Sequence, residues 1–178
     1  MPTHGRATAL ALLVALLIVP DRSASAQRVF ARVFGHPAPV SLDSLAQSWE
    51  LPAPRAAVFR ALSAVLDSLK VPAKHRDSVR AEIWQEEMVA MRQFAGESMT
   101  RQIECGSGIT GPFAAFYRMR LSYAAWVDSL APDRSRLRIG LAAGGQDVDG
   151  AAKRPLGCAS QGVFEQRVKD LVERKLAG

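Results

Sequence analysis

Only two cysteines, three histidines and two tyrosines occur in the 178 residues. Each scarcity removes a class of chemistry. Two cysteines cannot build a tetrahedral zinc site alone, and neither His36 nor His75 lies at ligand spacing to Cys105 or Cys158. No metal or cofactor motif is therefore expected. No G-x-S-x-G elbow presents a nucleophilic serine. The Gly-rich stretch Cys105-Gly106-Ser107-Gly108-Ile109-Thr110-Gly111-Pro112 lacks the Lys-Ser/Thr that completes a phosphate loop, and Pro112 stands where a helix would open. It reads as a loop. After Val19 no apolar run approaches the length that crosses a bilayer.

What is present begins with an address. Met1–Arg6 are polar and basic, Ala7–Val19 form an apolar run interrupted only by Thr8, Pro20 breaks the run, and Ala24-Ser25-Ala26 has the small-x-small form of a cleavage site. Thirteen residues, apolar apart from Thr8, rise about 20 Å as a helix, short of the roughly 30 Å hydrocarbon core. With no stop-transfer pattern, residues 1–26 read as a removable signal peptide. The expected mature chain starts near Gln27, is exported to the periplasm or beyond, and is soluble. Residues 27–52 are expected to form an extended arm with a short helix, and residues 53–178 a single domain. The formal net charge at neutral pH is +6. Removing Arg6, Arg22 and Asp21 takes away +1 and leaves +5, a modest balance that suits anionic surfaces. In an oxidising compartment the even cysteine count argues for one Cys105–Cys158 disulfide, the alternative being two separately buried thiols. A bridge closing a loop of about 54 residues stabilises by roughly 4 kcal/mol in the chain-entropy model.

Along the chain, Ser41 can cap a short helix bearing Leu42, Leu45 and Trp49. Pro54 suits the first position of a longer one, whose stripe Val58, Leu62, Val65, Leu66 and Leu69 has helical spacing and stops before Pro72. Residues 73–97 point both ways. Glu82 to Gln93 favour helix by composition, whereas Val79, Ala81 and Ile83 alternate as a strand does. Tyr117 to Val127 alternate with Arg118, Arg120 and Trp126, and Leu137 to Ala143 alternate with Arg136 and Arg138. These are two antiparallel strands joined near residues 129–135. Gly144–Gly150 reads as a polar loop. A final helix near 163–176 carries Phe164, Val168, Leu171 and Val172 on one stripe.

The candidate binding surface is the outer face of that hairpin. Arg136 and Arg138 are expected beside Trp126, with Arg118 and Arg120 at the far end opposite residues 143–145. Such a stripe suits an acidic partner, anionic lipid or glycan. Four arginines do not make a nucleic-acid site. On a wet face, replacing Arg136 and Arg138 with Ser is expected to leave the fold intact. A hydrolytic alternative uses His75 with Asp77 or the Glu86/Glu87 pair as acid and base. Asp147-x-Asp149-Gly150 has part of a calcium loop's spacing, but the next acid, Glu165, is too distant to complete it.

Leu69-Lys70-Val71-Pro72, Ile103-Glu104-Cys105-Gly106 with Gly111-Pro112, a Tyr-bearing strand, and Cys158-Ala159-Ser160-x-Gly162-x-x-Glu165 together resemble a family of uncharacterised exported bacterial proteins. The resemblance spans about residues 55–176. It implies a Cys105–Cys158 disulfide and a hairpin after Pro72 with strands near 72–76 and 79–84, and it implies no known activity. The combined expectation is an α+β fold. An antiparallel sheet of four to five strands packs one face against helices 54–69 and 163–176. The expected function is a non-enzymatic binding or structural module with an envelope protein or anionic surface as partner.

Overall fold

The computed structural model describes residues 29–148 and 155–178. The expected leader and the Asp149-Gly150 end of the calcium-like spacing lie outside them.

In chain order the elements are β1 (Phe30–Ala31), β2 (Val40–Ser41), β3 (Gln47–Leu51), α1 (Arg55–Ser68), β4 (His75–Asp77), β5 (Glu82–Ala90), β6 (Gln93–Phe94) and β7 (Glu97–Ser98). Then follow α2 (Met99–Gln102), β8 (Ile103–Glu104), β9 (Ser107–Gly108), β10 (Gly111–Pro112), a 3-10 turn at Phe113–Ala115, β11 (Arg118–Ala131), β12 (Arg134–Gln146), β13 (Leu156–Ser160) and α3 (Val163–Ala177). One antiparallel sheet of seven strands runs β4-β5-β11-β12-β13-β8, with β3 also paired to β12.

This overturns the expected sheet of four to five strands with two helices. The main sheet has seven strands, three two-stranded sheets accompany it, and three α-helices are present among the described residues. The extra strands are short. β4 has three residues and β8 two, too few to display alternation in a sequence. The four-residue α2 is likewise too short to show a stripe. The helix expected from Ser41 is also absent: residues 42–45 form a turn, and Trp49 lies in β3, paired with Leu137. Its apolar spacing of three and four residues belonged to a turn followed by a strand. The Gly144–Gly150 loop starts later than expected, because β12 continues to Gln146.

The ambiguous stretch after Pro72 is a hairpin, His75↔Trp84 to Asp77↔Glu82. Its second strand runs on to Ala90 through a bulge, where the register to β11 shifts between Leu121 and Tyr123. Glu87 takes up the extra residue with φ +51° and donates its N–H to Ser122 Oγ at 3.0 Å.

The two faces of the sheet bury different cores. On the inner face Met119, Leu121, Tyr123, Ala125 and Val127 meet Leu137, Ile139 and Leu141, covered by Val58, Leu62 and Leu66 of α1 and Phe164, Val168 and Val172 of α3. Tyr123 keeps its hydroxyl satisfied there by donating to the Pro72 carbonyl at 2.9 Å. The outer face carries a second, smaller core of Ala124, Trp126 and Ala142 beneath Val29, Ala31, Val33 and Leu42. The arm therefore lies on the sheet.

Candidate functional site

The β11–β12 register puts Trp126 opposite Arg138, Asp128 opposite Arg136, Arg120 opposite Gly144 and Arg118 opposite Gln146. Even-numbered residues of both strands share the outer face. All five singled-out residues are thus on the expected side. The expectation that this side is wet fails for Trp126, which is 2% exposed. The arm covers it. β12 admits the arm because its outward residues Gly140, Ala142 and Gly144 are small. A Cβ on Gly140 would come 2.2 Å from the Leu42 carbonyl oxygen, and one on Gly144 1.6 Å from the Phe34 oxygen. Only glycine lets the arm backbone approach that closely.

The arginines consequently do different work. Arg138 is fixed: its guanidinium pairs with Asp43 of the arm and with Asp128 at 2.8 Å, and lies 5.0 Å from the Trp126 ring centre. Burial works against the Arg138 charge, but its carboxylate hydrogen bonds more than offset this and hold it above the ordinary arginine value. Arg136 makes one open ion pair to Glu50 at 3.3 Å. Arg120 lies 5.4 Å over the Phe34 ring, and its buried Nε finds no hydrogen-bond partner among the described residues. Arg118 is exposed.

The arm reaches the Arg118–Arg120 end of the sheet through Phe34, against Gly144 and Arg120, but leaves the neighbouring end of β5 uncovered. There Val89, 58% exposed, is the β5 partner of Arg120. Met91 follows β5 and Phe116 precedes β11, both exposed. The uncovered outer surface therefore combines apolar side chains with Arg118 and part of Arg120.

The hydrolytic candidates are only partly assembled. His75 and Asp77 share one face of β4. His75 stacks on Trp84 at 5.2 Å, and the Lys74 ammonium lies 5.7 Å from the same ring. Asp77 accepts the N–H groups of Val79 and Arg80, closing the β4–β5 turn. The carboxylate opposite Asp77 is Glu82, while Glu86 and Glu87 lie beyond the stretch of β5 that β4 pairs. Glu82 is buried, and burial pushes its carboxyl up against the lowering charges of His75 and Arg80. The Trp126 indole N–H lies near this carboxylate and lowers its pKa without meeting hydrogen-bond geometry.

Cys105 and Cys158 are joined by a disulfide. It continues the β8–β13 pairing by one position, since Glu104 pairs with Ala159. Among the described residues no group of three His, Cys, Asp or Glu side chains could hold a metal ion, and no helix is long and apolar enough to cross a membrane.

Sequence reasoning missed Phe34, Asp43, Glu82 and Val89. Two signals could have found the arm. Val29, Ala31 and Val33 alternate with Phe30, Arg32 and Phe34, and the outer row of β12 turns small at Gly140, Ala142 and Gly144. No protein-family model and no curated protein matches the chain.

Proposed function

We propose that this chain is exported to the periplasm or envelope and works as a non-enzymatic binding module. One observation carries the reading. The arm covers the middle of the outer face, over Ala124, Trp126 and Ala142, and at the Arg118–Arg120 end cationic and apolar side chains share an uncovered surface. An isolated apolar residue on a surface means little, but apolar residues beside open arginines suit a partner with both characters. Support for export comes from the leader-like N-terminal sequence, the disulfide and the resemblance to exported bacterial proteins.

The test places a photo-crosslinking residue at position 89 in one variant and at position 136 in another, each mixed with envelope fractions. Adducts from position 89 and none from position 136 are expected. Equal labelling from both positions contradicts the reading. So does turnover of ester, peptide or glycoside substrates that is lost in His75→Ala, which would favour the hydrolytic alternative.

A further inference from the structure

We propose that the β9–β10 hairpin is a prong that docks this protein on an anionic phospholipid surface, with Ile109 and Phe116 entering the headgroup layer and Arg118 and Arg120 meeting lipid phosphates. The inference rests on the binding-module reading and names its partner.

Ile109 is the most exposed large apolar residue described, and it stands in the two-residue turn between Gly108 and Gly111. Tight turns favour Gly, Asn and Asp. A fully exposed isoleucine there contributes nothing to the core. Phe116 is 51% exposed, and its ring lies 3.8 Å from where a Cβ on Gly111 would stand. It therefore extends the apolar surface from the hairpin stem toward Arg118.

The prong is held in place. Phe113 donates its N–H to the Gly106 carbonyl at 3.0 Å, and Gly106 donates to the Glu104 carboxylate at 2.6 Å. The disulfide anchors Cys105 at its base. A fixed prong loses less conformational freedom on docking than a loose loop.

Shape and charge select the occupant. A turn apex is convex, so it suits a deformable layer better than a matching groove. From Cys105 to Val127 the chain carries no acidic residue, and its two charges are Arg118 and Arg120. Basic side chains near an anionic bilayer each add attraction, and half-buried apolar and aromatic groups suit the interfacial zone.

The test is co-sedimentation of the purified, oxidised protein with vesicles of phosphatidylglycerol mixed with phosphatidylcholine. Vesicles of phosphatidylcholine alone and soluble heparin complete the comparison. Binding to the anionic vesicles is expected, weakened by raised salt. Arg118→Ser should lower partitioning roughly fivefold. Ile109→Asp should lower it by about tenfold or more, and Phe116→Ser should act in the same direction. Ile109 is outside both cores, so its variant should melt like the parent. Equal binding to neutral vesicles overturns the proposal. Unchanged binding by Ile109→Asp overturns it too, as does heparin binding without vesicle binding. If vesicles are not bound while position 89 still crosslinks to an envelope protein, the lipid assignment fails and the binding-module reading stands. If neither occurs, both fail.

Discussion

Replacing Arg138 with Ser should destabilise the protein and loosen the arm selectively. The guanidinium side chain is 18% exposed and its partners Asp43 and Asp128 are 34% and 37% exposed. Removing one member of a fully buried pair costs about 3–5 kcal/mol, and an open surface pair under about 1 kcal/mol. This site falls between, at about 2–3 kcal/mol, of which the Trp126 ring supplies about 1. For a domain of this size the melting midpoint should drop by roughly 4–12 °C. Arg136→Ser removes one pair to Glu50, in an open setting. It should cost less than about 0.5 kcal/mol. The two arginines, expected alike to be dispensable for the fold, therefore differ: Arg138 is doubly paired and mostly buried, Arg136 is open. Thermal melts followed by circular dichroism give the midpoints. Amide exchange of Leu42, which donates to the Val29 carbonyl at 2.9 Å, reports the arm itself. A midpoint change equal to that of Arg136→Ser, or unaltered exchange at Leu42, would refute the view that Arg138 fastens the arm.

Three further outcomes follow from the same contacts. Burial raises the carboxyls of Glu82 and Glu165 above their ordinary 4.5, so folding favours their protonated forms; wild type should gain stability as pH falls from neutral toward that value, and the advantage of Glu82→Gln or Glu165→Gln at neutral pH should shrink with it. Pulse-free equilibrium melts at several pH values check this, and a gap that widens in acid contradicts it. Gly144→Ala must push the Phe34 carbonyl away, which should cost about 1–3 kcal/mol; a melt matching the parent shows the arm does not lie there. A thiol assay on denatured, unreduced protein should find no reactive group, and reduction should lower stability by roughly 4 kcal/mol.

The β11–β12 hairpin and the α1 stripe were legible because they are long enough for their periods to show. Met119, Leu121, Tyr123, Ala125 and Val127 are buried on one face, and Val58, Leu62, Val65 and Leu66 lie in the main core. Residues 82–90 were obscured by the bulge. Ile83 and Met88 both face the core five residues apart, a spacing that fits neither a regular strand nor a helix. β3 was misread because Leu42, Leu45 and Trp49 mimic a helical stripe while belonging to a turn and a strand. The candidate surface was legible in its residues and illegible in its exposure. A row of arginines beside tryptophan looks the same in sequence whether water or an arm covers it. What separates the cases is the small-residue row at Gly140, Ala142 and Gly144, which makes room for backbone.

The most direct test of the central claim is oxidative footprinting of the protein with and without envelope membranes. Met91 and Phe116 are exposed at the uncovered end, whereas Met88 and Trp126 are buried and serve as internal controls. Binding through that end should protect Met91 and Phe116 and leave His75 and Trp84 labelled as before. Protection centred on His75 and Trp84, or none anywhere, would contradict the account.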